Sequence, residues 1–386
     1  MKILKKSVAV ALGALMIGSA MSGCTQATVF GNYPQDLSWS YKDDTSTMTI
    51  GEYIFYNYSA FYTASGMVED GTGDFLDQTL KDDDGNEMTA REYIEKMSEI
   101  SCKSYLYVNN EFKNRGLKLT ADEIKSYKAS ADSQWAYAKE SFESYGISKE
   151  SYVEAGYSYS AKLEALFKSI YQEGGEKAVS TDELKKYYEE NYTNYSYITV
   201  PFYETTTDDE GNTSNTAKSD DDISAIKKNL EKYVTAINEG TSYEDEIKVY
   251  MEDYSVESDP TITATNILDE AGLGEEIQTA LEGMKEGEAK YIVVGEDGDT
   301  ATAYLLYKGK IKEQSTNLDT DEDLKYTTLI KMKSEEFQND IDKAAESYAC
   351  EVNNIALEKY PCDMFITEPA TEASTEASTE GVVTAE

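Results

Sequence analysis

The spacing of apolar residues divides the chain into stretches with different predicted structure. Residues 8–20 form an apolar run that is too short to span a bilayer as a mature helix. Residues 47–175 carry apolar side chains at helical spacing, which predicts an essentially all-helical lobe. Residues 195–204 alternate as in a strand, and the sequence from there to residue 312 mixes both patterns. The pattern therefore predicts the α+β class.

Short motifs mark where the predicted helices begin. In a capping box a hydroxyl side chain is followed three residues later by Glu, and each side chain satisfies a free backbone N–H of the first turn. The motif precedes amphipathic runs at Thr89/Glu92, Thr120/Glu123, Ser180/Glu183 and Thr241/Glu244. We expect helices to start at these positions.

Residues 180–312 are predicted to form a small α+β domain. Its elements are, in chain order, a helix from Ser180, a strand over 195–204, a polar acidic loop over 205–222, helices over 223–238 and 243–254, a short extended piece after Pro260 and a helix over 273–283. Two runs rich in apolar residues, 291–294 and 301–307, then flank Gly295-Glu296-Asp297-Gly298. Such a pair of runs around a turn is the signature of a hairpin.

A long helix is predicted after the small domain, within residues 313–366. Its apolar positions recur at spacings of three and four and therefore share one face: Phe337, Ile341, Ala344, Ala345, Tyr348, Val352 and Ile355. A stripe of this kind must pack on other residues, and the helical lobe is its natural host. Residues 367–386 repeat Glu-Ala-Ser-Thr, are low in apolar bulk and are expected to be disordered.

The N-terminus has the three parts of a secretory signal peptide. Lysines at positions 2, 5 and 6 supply a basic start, residues 8–20 the apolar core, and Met21-Ser22-Gly23-Cys24 the cleavage site. This site resembles the bacterial lipobox, with Met21 where Leu is more usual. The resemblance implies that residues 1–23 are removed and that Cys24 carries a lipid, with 24–46 as a lipidated tether at the outer face of the cell membrane. An ordinary signal peptide with a chance cysteine is the alternative.

The net negative charge of the chain limits the kinds of partner that it is expected to bind. The chain has 74 acidic and 35 basic side chains and a formal net charge of -39, which becomes about -42 once residues 1–23 are removed. Such a surface repels nucleic acid and anionic lipid headgroups, so charged partners should be basic or cation-bridged. The 40% hydrophobic content, with 32 Tyr and 10 Phe, is enough for packed cores.

The residues that usually bind metals or cofactors form no recognisable site in the sequence. With Cys24 assigned to the lipid, Cys102, Cys350 and Cys362 remain, and the last two are close enough in sequence to form a disulfide. Three free thiols are the alternative. The chain has no His, so imidazole ligands are missing, and the acidic runs 82–86 and 208–212 do not meet the EF-hand spacing. We expect no cofactor and no metal.

Three stretches carry a resemblance to a known family. Residues 180–191 (STDELKKYYEEN) are similar to the helix that leads into parvulin domains, 196–200 (SYITV) to the first parvulin strand, and 279–288 (TALEGMKEGE) to the turn before the final hairpin. The layout over about residues 47–360 resembles the PrsA/SurA type of extracytoplasmic foldase lipoprotein. This implies a discontinuous helical chaperone lobe, similar to the SurA N-terminal and trigger-factor lobes. It would be formed by 47–175 and the C-terminal helix of 313–366, with a parvulin-like domain inserted at 176–312.

The resemblance also locates an enzyme site, which this sequence has altered. Parvulin peptidyl-prolyl isomerases place one His on the first strand and another on the last, with an Asp or Cys between them. These positions correspond to Tyr197 and Tyr304, and the acid to Asp253 or Glu257. Without His, the domain is expected to hold chains and to have little or no isomerase activity. The barrier to rotation about a peptide bond is about 18–20 kcal/mol, and an enzyme can lower it without a general base. An active isomerase therefore stays an alternative.

The family implies a chaperone for unfolded or newly secreted polypeptides. Aromatic side chains of the lobe suit sequence-tolerant binding, although rings at helical spacing are more often core. They are Tyr53, Phe55, Tyr56, Tyr58, Phe61, Tyr62, Tyr105, Tyr107, Trp135, Tyr137, Phe142 and Tyr145. A surface lipoprotein that acts as a binding or scaffold module is the alternative, and a homodimer is left open.

Overall fold

The computed structural model of the chain describes residues 34–68, 73–82, 85–208, 210–295 and 299–366. The predictions for the signal peptide, for the lipid on Cys24, for the first part of the tether and for the tail over 367–386 lie outside these residues. Helices and strands are both present, so the predicted α+β class is confirmed. In the described ranges, no helix is long and apolar enough to cross a membrane.

The described α-helices are α1 (Ile50–Met67), α2 (Ala90–Asn114), α3 (Ala121–Ser144), α4 (Lys149–Tyr152), α5 (Tyr159–Tyr171), α6 (Thr181–Asn191), α7 (Asp220–Asn238), α8 (Tyr243–Asp253), α9 (Glu275–Gly283), α10 (Ile311–Ser315), α11 (Glu322–Glu346) and α12 (Asn354–Leu357). The described strands are β1 (Trp39–Lys42), β2 (Thr47–Thr49), β3 (Thr79–Lys81), β4 (Glu87–Thr89), β5 (Thr193–Pro201), β6 (Tyr203–Thr207), β7 (Thr213–Ala217), β8 (Ile262–Asn266), β9 (Ala289–Val294), β10 (Thr302–Lys308) and β11 (Glu351–Val352). A π-helical turn, Val153–Ser158, joins α4 to α5.

The chain divides into two compact units. Unit 1 comprises the described residues of Met1–Ala178 and Lys333–Glu386, and unit 2 comprises those of Val179–Met332. Unit 1 is therefore built from two separate stretches of sequence, whereas unit 2 is continuous.

Unit 1 is mainly helical and has an aromatic core. Helix α2 packs on both α1 and α5. Phe55 of α1 meets Phe142 of α3 edge to face, with ring centroids 6.0 Å apart. The C-terminal stretch contributes Phe365, which is buried with its ring centroid 5.4 Å from Tyr58 and 5.3 Å from Phe61. Edge-to-face contacts are favoured because the positive edge of one ring meets the negative face of the next.

Helix starts in the structure follow local capping chemistry. The predicted capping boxes are present at Thr89, Thr120 and Ser180. The box predicted from Thr241 is wrong by one residue, because Ser242 caps α8 by accepting the N–H of Asp245. A further box, Thr49 with Glu52, begins α1 and was not predicted.

Unit 1 departs from the predicted pattern at its ends. It contains a three-stranded sheet in the order β11-β1-β2 and a hairpin of β3 and β4, so it is not entirely helical. The predicted final helix ends at Glu346 and does not continue to Ile355, which is 77% exposed. Val352 instead lies opposite Tyr41 in the sheet, and the Tyr348 hydroxyl donates to Asp43 at 2.6 Å. These tertiary contacts would be lost in a continued helix.

Unit 2 is built on a four-stranded antiparallel sheet in the order β8-β5-β10-β9. Side chains of β5 alternate between its two faces. Ile198 and Val200 pack with α7 and α8, and Tyr195 and Tyr197 pack on the α9 side. The hairpin predicted around residues 295–298 is confirmed, since β9 pairs with β10 in continuous register.

A second hairpin corrects the loop predicted over 205–222. β6 pairs with β7, and nearly every residue of both strands is exposed. Alternation of apolar and polar residues arises when one face of a strand is buried. Neither face is buried here, so the sequence carries no strand pattern.

Candidate functional site

Tyrosine side chains gather on the α9 face of the unit 2 sheet. Tyr195 and Tyr197 are two residues apart on β5, so they share a face, and their stacked rings are 6.3 Å apart. The Tyr304 ring on β10 is 5.9 Å from the Tyr197 ring. Tyr304 pairs with Thr199 and is therefore a diagonal neighbour of Tyr197. The structure brings together the two tyrosines that stand at the predicted histidine positions.

Helix α9 covers only part of this face. Tyr195 and Leu306 lie under it and are buried. Tyr197 and Tyr304 are half-buried, and Ile262, which pairs with Tyr197 from β8, is 50% exposed. Tyr197, Tyr304 and Ile262 together form a partly exposed aromatic and apolar surface, the open patch.

The open patch contains no carboxyl, imidazole or amino group. Burial raises the pKa of Tyr197, and the neighbouring Tyr195 and Tyr304 add to the shift. A free tyrosine already has a pKa of about 10, so Tyr197 stays neutral. A neutral phenol can donate and accept a hydrogen bond but does not replace an imidazole as an acid or base. The open patch is suited to binding apolar and amide groups.

The predicted acidic partner lies on the other side of the sheet. Asp253 ends α8, and its carboxylate accepts a hydrogen bond from the Tyr233 hydroxyl at 2.7 Å. Tyr233 belongs to the core between the sheet and helices α7 and α8, whereas Tyr197 and Tyr304 face α9. The sheet thus separates Asp253 from both tyrosines, and the expected cluster does not form. Glu257 is exposed in the segment after α8.

A small pocket at the end of β8 was missed by the sequence analysis. This strand-end pocket has a volume of about 290 Å3 and is lined by Tyr192, Asn266, Ile267, Glu270, Ile330 and Lys331. Lys331 and Glu270 form an ion pair at 2.5 Å, and the Asn266 amide donates to the Tyr195 hydroxyl at 3.2 Å. Small-molecule sites usually have roughly 300–1,000 Å3, so this pocket suits a single side chain better than a cofactor.

Most of the aromatic residues proposed for client binding form the core of unit 1. The buried members are Phe55, Tyr56, Tyr58, Tyr105, Trp135 and Phe142. Tyr53, Phe61 and Tyr145 are half-buried and pack against this core, and Tyr107 is also half-buried. Tyr62 and Tyr137 are exposed. The more frequent alternative, that such rings pack between helices, therefore describes most of the set.

Cys102, Cys350 and Cys362 are free thiols in the structure, so the disulfide that the sequence allowed between Cys350 and Cys362 is not present in it. Cys362 lies beside Arg91, whose Nη1 is 3.7 Å from the sulfur. Burial raises the pKa of Cys350, and the nearby charge of Lys103 opposes that shift. Arg91 and Lys103 are both on α2, about 18 Å apart at 1.5 Å per residue.

In each of the two acidic runs, the first Asp is hydrogen-bonded to the Asn four residues later. The Asp82 carboxylate accepts the backbone N–H of Asn86 at 2.8 Å, and the Asp208 carboxylate accepts that of Asn212 at 2.8 Å. Asp and Asn side chains commonly stabilise turns in this way. Among the described residues, no group of His, Cys, Asp and Glu has an arrangement that could hold a metal ion.

Comparison with known proteins gives one weak structural similarity. No protein-family model and no curated protein matches the sequence. The fold is similar to the crystal structure of foldase protein PrsA from Streptococcus pneumoniae str. Canada MDR_19A, with a TM-score of 0.36 and 15% identity, over 73% of this chain and 98% of that chain. A TM-score of this size does not establish a shared fold, and function must be inferred from the residues of this chain.

Proposed function

We propose that this chain is a membrane-anchored extracytoplasmic chaperone that holds unfolded or newly secreted polypeptides and has little or no prolyl isomerase activity. The open patch carries the proposal. It presents two tyrosine rings 5.9 Å apart and a half-exposed Ile262 on one face of a sheet. Aromatic rings bury area against many kinds of side chain without requiring one geometry, which suits clients of varied sequence.

The location of the protein is part of the proposal and depends on Cys24. A lipid there would hold the chain at the outer face of the membrane, where exported polypeptides emerge unfolded. Metabolic labelling with a radioactive fatty acid tests this: we expect label on the wild-type protein and none on Cys24→Ser. Equal labelling of both proteins would exclude Cys24 as the lipid site.

The arrangement of polar groups favours holding over isomerisation. The chain has no His, and Asp253 is bonded to Tyr233 on the far side of the sheet. Removal of preorganised polar groups from a reaction centre typically reduces rate. We therefore expect the mature chain not to accelerate a proline-limited refolding reaction. A clear acceleration that is lost in Tyr197→Ala would establish the alternative, an active isomerase.

An aggregation assay tests the holding function. Light scattering is followed while an unrelated unfolded substrate is diluted into an equal concentration of the mature chain. We expect the wild type to suppress aggregation and the double variant Tyr197→Ser/Tyr304→Ser to do so several-fold less well. The matched control is Tyr62→Ser/Tyr137→Ser, which removes two exposed tyrosines of unit 1. Circular dichroism establishes that both variants are folded, and an inactive wild type would refute the proposal.

A surface lipoprotein that binds one specific ligand is the second candidate. The strand-end pocket favours it, because a pocket of about 290 Å3 can select one side chain or a small group. Tight binding of a single ligand by a wild type that suppresses no aggregation would support this second function.

A further inference from the structure

The two edges of the unit 2 sheet differ in how they are protected. At the β9 edge, the Asn238 side chain donates to the carbonyl of Ala289 at 3.0 Å and accepts its N–H at 2.8 Å. Lys290 also places a charge on this strand. Charged residues and covered backbone groups on an edge strand prevent pairing with another chain. The β9 edge is therefore closed at Ala289.

The β8 edge has none of these protections. Its residues, Ile262-Thr263-Ala264-Thr265-Asn266, include no charged residue and no proline, and they pair with β5 without a bulge. Within the described part of the chain β5 is its only strand neighbour, so alternate residues direct their N–H and C=O groups away from the sheet. Ile262 and Thr263 are exposed. An uncharged and regular edge of this kind is a template for another strand.

We propose that the free edge of β8 binds an extended segment of another polypeptide as an added strand. The segment carries β-branched or apolar residues and is flanked by Lys or Arg. The inference rests on the proposed chaperone function and specifies how a client is held. In strand addition, main-chain hydrogen bonds supply affinity whatever the sequence, and pockets for alternate side chains supply selectivity.

Surfaces beside β8 fit the side chains of such a segment. Ile262 pairs with Tyr197, so the open patch continues to the edge on the α9 face. At the other end, Asn266 leads into the strand-end pocket, where Ile267, Ile330 and the Tyr192 ring supply apolar contacts. Apolar side chains of an added strand would be buried at both ends of β8.

Charge specifies the occupant of the edge. Glu257 and Asp259 precede β8 and Asp269 follows it, and all three are exposed. Lys or Arg at the ends of a bound segment would meet these carboxylates. The same charges oppose the tail over 367–386, which carries Glu and no Lys or Arg, and a second copy of a chain with a net charge of -39. A basic-flanked foreign segment is the occupant that fits.

Fluorescence anisotropy with the full mature chain tests the edge. The probe is a labelled peptide of alternating valine and threonine between pairs of lysines. Ile262→Lys puts a charge on the free edge, and Val293→Lys makes the same kind of change on β9, whose edge is closed at Ala289. We expect Ile262→Lys to raise the Kd about tenfold, as the loss of one or two net hydrogen bonds would. Val293→Lys should change the Kd by less than about twofold.

Backbone methylation separates strand addition from side-chain contact. Only alternate N–H groups of the peptide can face β8, so N-methylation at one set of alternate residues should abolish binding and the other set should preserve it. Equal effects of the two peptides, or an unchanged Kd in Ile262→Lys, would overturn the proposal. A peptide with glutamates in place of the lysines should bind at least about tenfold more weakly, and equal binding would overturn the charge assignment.

Other occupants and the chaperone function give distinct results. If removal of residues 367–386 strengthened peptide binding about tenfold, the tail would occupy the edge and the proposal would be wrong. A wild-type dimer that dissociates in Ile262→Lys would likewise identify a second copy. If the wild type suppressed aggregation and Ile262→Lys did so equally well, the edge proposal alone would fail. If only one of the two methylated peptides lost binding but the wild type did not suppress aggregation, the edge proposal would be supported and the proposed chaperone function would be refuted.

Discussion

Glu52, in the capping box of α1, is expected to make the stability of unit 1 depend on pH. Its side chain is buried, Oε2 accepts the N–H of Thr49 at 2.6 Å, and Oε1 accepts the Tyr105 hydroxyl at 3.4 Å. Burial raises the pKa of Glu52 to about 7. The negative charge of Glu154 adds to this shift, and the hydrogen bond from Thr49 opposes it.

The sign of the effect follows from proton binding. In the unfolded chain the pKa of Glu52 returns to its ordinary value of 4.5. Between 4.5 and about 7 the folded state binds more protons, so the free energy of unfolding falls as pH rises through this range. At 1.36 kcal/mol for each unit of pKa difference, the loss is about 3 kcal/mol above the folded pKa. The contribution of Glu52 protonation to the free energy of unfolding is therefore fully present only below the unfolded pKa of 4.5.

Urea unfolding of Glu52→Gln measures this contribution. Glutamine keeps an oxygen that can accept the N–H of Thr49 but carries no charge. The two tryptophans of the chain, Trp39 and Trp135, both belong to unit 1, so their fluorescence reports on this unit. Between about pH 4 and pH 8 the wild type should lose about 3 kcal/mol relative to Glu52→Gln.

The capping box of α2 supplies a control of opposite sign. Glu92 is exposed, and hydrogen bonds from the backbone and hydroxyl of Thr89 lower its pKa. Its contribution is therefore present above the ordinary pKa and disappears as pH falls through the folded pKa. Glu92→Gln should reduce stability at neutral pH and have less effect in acid. Parallel pH curves for the wild type and Glu52→Gln would refute the reasoning about burial.

Two further substitutions, one of them with a control, test the contacts inside each unit. Phe365→Ala should lower the free energy of unfolding, followed by tryptophan fluorescence, by about 3–5 kcal/mol because the ring is buried in the aromatic core. The control Ile355→Ala, at an exposed position, should change this free energy by less than about 0.5 kcal/mol. Equal effects would contradict the placement of the C-terminal stretch in the core. Tyr233→Phe should cost about 1 kcal/mol by thermal unfolding, because it removes the hydrogen bond to Asp253, and an unchanged melting temperature would show that this bond adds no net stability.

Elements that depend on local chemistry could be predicted from the sequence. Helices α2, α3 and α6 begin where a hydroxyl residue is followed by Glu, because the capping box involves only the first turn. The hairpin of β6 and β7 could not be predicted because neither face is buried. The end of α11 at Glu346 depends on the pairing of Val352 with Tyr41 of β1, a contact between distant parts of the chain. Tertiary pairing there prevails over helical spacing.

In the candidate site, too, some positions could be predicted from the sequence and others could not. Tyr197 and Tyr304 are placed together by the resemblance to parvulin domains, and the structure puts them on the paired strands β5 and β10. The position of Asp253 could not be predicted, because it depends on which face of the sheet α7 and α8 cover. Ile262 carries no distinctive signal, since β8 is a short strand whose importance comes from its place at the edge.

The division of unit 1 into two stretches sets an order of events during synthesis. The side chain of Asn57 bonds to the carbonyl of Tyr360, 303 residues later, so this unit cannot close until the end of the chain is made. Unit 2 is continuous and has all the strands of its sheet by Lys308, so it can fold first. Until the C-terminal stretch of unit 1 is made, the aromatic side chains of α1 and α2 lack part of their core. While it is being made, the protein passes through the exposed, aromatic-rich state that it is proposed to protect in others.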